Sequence, residues 1–330
     1  MRIQVTVRWA ALLMLVPLCG FAREEPLGAG MEGFLYPHPV HMLDLRMEGE
    51  PVRMAYMDVP PEGRANGSAV VLLHGRNFFG AYWQGTIEVL RRAGYRVVVP
   101  DQIGFGKSSK PDVPHSLHQH AQNTRQLLAA LNVERATLIA HSLGGMMAVR
   151  FALMYPEMTQ RLVLAAPIGL EDYRIAVPYA TREELTAEAL AQTREGIDRF
   201  FRGFFAQWQP QFQQYADVQY RWLLGPEAHR IARTAASTYL MAYEQPVVYE
   251  LSQVRAPTLL IAGDRDRAAI GRNRVPPELR DRLGRVTELA PKAAAALPDG
   301  RLVMLRGVGH IPHLEAPERF HDEVMRFLGR

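Results

Sequence analysis

The chain has 330 residues, 48% of them hydrophobic, and a net charge of +4 from 38 Lys and Arg against 34 Asp and Glu. That is enough apolar material for a sizeable core, in one large domain or two small ones. The basic residues are nearly all Arg, interleaved with acids as in "TREELTAEALAQTREGIDR" (181–199), and no basic block with interleaved aromatics occurs, which argues against nucleic-acid binding and for a solvated, mixed-charge surface.

In chain order, Arg2 and Arg8 come first, then the unbroken apolar run Trp9–Leu18, then small residues at Gly20 and Ala22. This is the order of a secretory signal peptide over 1–22, and it predicts a periplasmic or secreted protein. The apolar run is shorter than the roughly 20 residues a membrane helix needs, so no stable span is expected after cleavage. Cys19 is the only cysteine; Leu18 before it is not the small residue of a lipoprotein signal, and cleavage after Ala22 leaves a chain without a disulfide framework.

Beyond the signal, "VRMAYMDV" (52–59) alternates and suits an exposed antiparallel edge strand. Buried strands are predicted at 69–74, 96–101, 136–141, 161–166, 257–263 and 301–307, with helices over 81–93, 116–131 and 143–155. Apolar strands alternating with helices indicate an α/β protein with a mostly parallel central sheet covered on both faces. Between Pro167 and Ser252 the alternation stops and the texture is helical, which reads as an insertion into that core. The short "KAAAAL" tract at 292–297 is the only low-complexity segment.

Ser142 follows the strand "ATLIAH" and opens the helix "LGGMMAVRFALMY". Ser is a good helix N-cap in any protein, so the stretch alone leaves two readings open. A sharp strand-to-helix turn that exposes a nucleophile needs small residues two before and two after, and Ala140 and Gly144 meet that need. A nucleophilic serine also needs a base and an orienting acid. "DRD" (264–266) and "VGHIPHLEAPERF" (308–320) stand just past two later strands, on the sheet edge where α/β folds place their ligands. Asp264 or Asp266, and His310 or His313, are the candidates.

With "LLHGRN" (72–77), "PDQIGFGKSS" (100–109), "AHSLGG" (140–145), "IAGDRD" (261–266) and "GHIPHLEAPERF" (309–320) in register, the chain resembles α/β-hydrolases of the capped group that includes epoxide hydrolases, haloperoxidases and carbon–carbon bond hydrolases. The resemblance implies an α/β-hydrolase core over 23–167 and 253–330 and a helical cap over 168–252. It also implies Ser142 as nucleophile, Asp266 as acid, three residues after Gly263, and His310 as base, after Gly309. The backbone N–H groups of Arg76 and Leu143 would form the oxyanion hole. A serine, where epoxide hydrolases and dehalogenases carry Asp, implies acyl transfer through an acyl-enzyme.

The expectation is therefore a cofactor-free serine hydrolase acting on carboxylic esters, or on a lactone or thioester, of a small apolar acyl group. Asn77 and Phe78, after the oxyanion loop, and Trp208, in the insertion, are expected to touch substrate. A carbon–carbon bond hydrolase, an amide-cleaving relative and a non-catalytic binding protein on the same fold are the alternatives. "GFGKSS" lacks Walker spacing and reads as a turn after a strand. No metal site is expected: His115, His118 and His120 read as a solvated helix start without carboxylate or Cys partners. His141 is expected to pack on the far side of the sheet from the serine.

Overall fold

The computed structural model describes residues 25–329, so the signal segment and Cys19 lie outside the described residues. The chain enters through a β-hairpin: β1 (Val40–Met47) pairs antiparallel with β2 (Glu50–Val59). Glu48 (φ 48°) and Gly49 (φ 84°) form its two-residue turn, both left-handed as the twist of a tight hairpin requires. The expected edge strand is thus antiparallel but not at the edge. β2 lies between β1 and β4 (Arg96–Pro100), and β1 takes the exposed side. Its "VHMLDLRM" mixes exposed apolar residues with charges, which blurs the alternation.

The remaining strands are β3 (Ala69–Leu73), β5 (Ala136–His141), β6 (Thr159–Ala165), β7 (Thr258–Gly263) and β8 (Gly300–Leu305). The sheet runs β1-β2-β4-β3-β5-β6-β7-β8, and from β4 onward every pairing is parallel. β3, β5 and β7 are buried along their whole length because both faces are covered. Period two divides the core: Val71 and Leu73 face one apolar cluster, Val70 and Leu72 the other.

The first cluster includes α2 (Leu117–Ala130) and α3 (Leu143–Met154); the second includes α1 (Gln84–Arg92) and α10 (Pro317–Leu328). Ser116 caps α2, its Oγ accepting from Gln119 N at 3.1 Å. Between β6 and β7 come α4 (Arg182–Leu190), α5 (Arg194–Arg202), α6 (Gln213–Leu223) and α7 (Ala228–Glu244), with no strand. The alanine-rich tract proves to be the end of a helix, α8 (Val286–Ala296), whose small Ala290, Ala293 and Ala294 are buried against the sheet. α9 (Pro312–Glu315) is a single turn before α10. Among the described residues no helix is long and apolar enough to cross a membrane.

Candidate active site

Ser142 sits at the turn from β5 into α3 with φ 53° and ψ −118°, a conformation that costs a non-glycine residue roughly 1–3 kcal/mol. Its neighbours make the turn feasible. A Cβ on Gly144 would stand 2.5 Å from the Leu73 carbonyl oxygen and 2.7 Å from that of His74. A Cβ on Gly75 would stand 3.0 Å from the Ser142 Cβ. The turn is held by Ser142 N–H donating to Ala165 O at 3.1 Å and Gly145 N–H to Ser142 O at 2.8 Å. Ser142 stands at the N-cap position of α3, but its side chain caps nothing there.

Its hydroxyl points to His310 instead, with Oγ 2.9 Å from Nε2. His310 Nδ1 lies 2.9 Å from Asp266 Oδ2, and the other oxygen of Asp266 accepts from Ala268 N at 2.8 Å. A carboxylate accepts and cannot donate, so Nδ1 carries the hydrogen and Nε2 offers its lone pair to the serine. The His310 and Asp266 side chains are only 4% and 6% exposed. Of the paired candidates, Asp264 turns away to cap its own loop, accepting from Gly307 N at 2.7 Å. His313 stacks on Trp83 at 4.0 Å and reaches neither Ser142 nor Asp266.

The backbone N–H groups of Arg76 and Leu143 have no hydrogen-bond partner among the described residues. Arg76 follows β3 and Leu143 opens α3, so both flank the serine. Asn77 takes a left-handed conformation (φ 67°) that suits Asn better than most side chains. Phe78 is buried and meets Phe204 at 5.9 Å, while Phe204 lies 5.4 Å from the His310 ring. Trp208 departs from expectation: it packs on Phe205 and Phe212 with Arg202 over its face, and none of its ring contacts is to the site. A flat, amphipathic ring is as useful inside the insertion's own core as over a substrate.

A chain of hydrogen bonds not foreseen from the sequence ties the loops together. Gly75 N–H donates to Tyr82 O at 2.9 Å, Tyr82 O–H to His141 Nδ1 at 3.0 Å, and His141 Nε2–H to the His310 carbonyl at 2.8 Å. His141 is buried, but it does not pack away from the site as expected: its ring lies 4.8 Å from that of His310 and braces that loop. Burial, and then the neighbouring His310, push its pKa well down, so it stays neutral, as both bonds need. The insertion holds the same loop from above: His310 N–H donates to Phe204 O at 2.7 Å, and Glu315 accepts from Ala206 N at 2.8 Å.

The other histidines differ from the solvated helix start expected of them. Only His118 is exposed; His115 and His120 are buried and paired at 3.0 Å, with His120 Nδ1 3.2 Å from Gln102 Oε1. Two ring faces fill the volume beneath the loop after β4. No group of three or more His, Cys, Asp or Glu converges as a metal would require among the described residues. "GFGKSS" is a turn folded around Asp101, which accepts from Gly80 N at 2.6 Å and Lys107 N at 2.7 Å.

Residues 68–317 match the family described as the alpha/beta hydrolase fold. The structure is similar to a probable hydrolytic enzyme from Pseudomonas aeruginosa PAO1, with a TM-score of 0.89 and 43% identity over 92% of this chain and 99% of that one. The sequence is 28% identical to a 2-hydroxy-6-oxononadienedioate/2-hydroxy-6-oxononatrienedioate hydrolase of Burkholderia vietnamiensis, over 86% of this chain and 93% of the relative. It is also 28% identical to a pimeloyl-[acyl-carrier protein] methyl ester esterase of Aeromonas hydrophila, over 83% of this chain and all of the relative.

Proposed function

The chain belongs to the α/β-hydrolase family, and from that premise we propose that it is an exported serine hydrolase of carboxylic esters. The observation that carries this reading is the Ser142–His310–Asp266 line, 2.9 Å at each step. Ser142 Oγ attacks the ester carbonyl while His310 Nε2 takes its proton. The carbonyl oxygen, now negative, moves toward the N–H groups of Arg76 and Leu143. His310 returns the proton to the departing alcohol, and Asp266 steadies the imidazolium in between. Water, deprotonated by His310, then cleaves the acyl-enzyme. Each step uses this chain's own groups and water. The helical insertion acts as a cap, with Phe78 and Phe204 bordering the side of His310 where the alcohol leaves.

The relative that cleaves a methyl ester supports the ester reading. The dioate hydrolase keeps a carbon–carbon cleaving variant of the same line in view, and a keto-acid substrate panel separates the two. The test is mass spectrometry after treatment with a fluorophosphonate. One adduct on Ser142, absent in Ser142→Ala, together with hydrolysis of 4-nitrophenyl esters by the wild type alone, is the expected result. A folded protein with no adduct and no turnover refutes the reading and leaves the non-catalytic alternative. Export is tested separately, by N-terminal sequencing of the protein from its host: the expected mature start is Arg23.

A further inference from the structure

One charged side chain of the loop that abuts the serine has no counter-ion. Arg76 leaves the oxyanion loop and runs to α7, where its guanidinium lies 5.7 Å from the Tyr239 ring centre. Its one polar contact is a long 3.3 Å bond from Nη2 to the Ala235 carbonyl. Its Nε is sealed from solvent without a partner, and so is the Tyr239 hydroxyl. Four other half-buried arginines on or facing the insertion do have carboxylates: Arg150 has Glu250, Arg182 has Asp112, Arg274 has Glu188 and Arg194 has Asp217. Arg76 is half-buried with its Nε sealed, and a cation partly withdrawn from water without a partner is costly. Burial alone already pulls the Arg76 guanidinium below its ordinary value and pushes the Tyr239 phenol up, so the phenol stays a donor.

The location assigns the partner's place. The leaving group must lie within reach of His310, on the side bordered by Phe204 and Phe78. Arg76 and Tyr239 lie toward α7, and the Tyr239 hydroxyl reaches the segments at Val177 and Gly271, after β6 and β7. That leaves the α7 side for the acyl chain. We propose that Arg76 and Tyr239 form an anion subsite for a carboxylate on the acyl part of the substrate, making the substrate a half-ester of a dicarboxylic acid. The planar fork of arginine matches a carboxylate, and its unpartnered Nε–H and the Tyr239 O–H are the donors ready for it. The 3.3 Å bond to Ala235 is the contact the ligand displaces. The expected apolar character then belongs to the leaving-group side and to the methylenes of the acyl chain.

This inference rests on the ester reading, so the experiment separates the two. The 4-nitrophenyl half-esters of glutarate and adipate are compared with the neutral hexanoate and heptanoate in wild type, Arg76→Gln and Arg76→Lys. The quantity read is the ratio of kcat/KM for anionic over neutral ester, because any disturbance of the 76 amide affects both alike. Loss of a charge-assisted bond is expected to lower that ratio about 10–100-fold in Arg76→Gln, through KM, with partial recovery in Arg76→Lys. Should Arg76→Gln fail to fold, Tyr239→Phe serves in its place, with a smaller drop expected. Glutarate binding is measured in parallel on Ser142→Ala and on Ser142→Ala with Arg76→Gln. An unchanged ratio overturns the subsite and leaves the ester reading standing. Absence of all turnover, with glutarate bound by Ser142→Ala and lost on adding Arg76→Gln, sustains the subsite and removes the ester reading. Absence of both turnover and binding overturns both.

Discussion

The two sides of Ser142 are built on opposite rules. On the histidine side the polar groups of the proposed triad and its braces are already engaged: His310 by Ser142, Asp266, His141 and Phe204, and Tyr82 by Gly75 and His141. His313 and Trp83 are exceptions there, their buried ring nitrogens unpartnered and the two rings stacked on each other. On the α7 side Arg76 Nε, the Tyr239 hydroxyl and Ser237 Oγ are buried without partners, as are Gln102 Nε2 and His115 Nε2 beneath them. Groups that must hold a transition state gain from being fixed in advance. The unpartnered Arg76 and Tyr239 groups are the ones the proposed substrate carboxylate would engage.

The largest effects are expected on the fixed side. Asp266→Asn keeps the shape but presents an amide N–H to Nδ1, which turns the imidazole to the wrong tautomer. A fall of about 10⁴ in kcat for a 4-nitrophenyl ester is expected, from steady-state kinetics. Asp264→Asn is the control, since that carboxylate accepts from Gly307 N and lies 3.8 Å from Arg265 Nε, and touches neither His310 nor Ser142. If Asp264→Asn lost as much activity as Asp266→Asn, the assignment of the acid would be wrong.

Acid is expected to act next. Burial, with Arg182 adding to it, lowers His115 to about 4, and His74, His120 and His141 are lowered as well, burial first. The unfolded chain takes up these protons below about pH 6.5. Between that pH and about 4 the unfolded state holds more protons than the fold, so stability falls as pH falls. His115 alone accounts for roughly 3 kcal/mol across that window. Urea unfolding at pH 7.5 and 4.5 measures the loss, and His115→Asn is expected to reduce the difference between the two midpoints.

Much of this architecture was legible because it is local. Ser142, Asp266 and His310 each stand a few residues past a strand, and strand order alone carries them to one edge of the sheet. Six of the strands needed only apolar runs between helical patterns. What escaped depends on partners distant in sequence. Tyr82 and His141 are 59 residues apart, His141 and His310 are 169 apart, and nothing near any of them announces the bond. His115 and His120 looked solvated because the polar sequence around them hides the loop that buries them. Trp208 had the right composition for a pocket and the wrong neighbours. β1 is not legible in the sequence because His41 and Met42, on its two opposite faces, are both exposed and break the alternation.

The contrast becomes sharpest when one chemical change is made on each side. Tyr82→Phe removes a hydroxyl that accepts from Gly75 N–H and donates to His141 Nδ1. Two buried groups lose their partner, so a destabilisation of about 1–3 kcal/mol is expected, with a drop in kcat as the Arg76 and His310 loops lose their tie. Tyr239→Phe removes a buried hydroxyl that bonds to nothing. No partner is orphaned and a desolvated group is relieved, so stability of the unliganded protein is expected to stay level or to rise slightly. Thermal unfolding of both variants without ligand measures this directly. Equal losses for the two would mean that the Tyr239 hydroxyl is already engaged, and that the α7 side is as complete as the other.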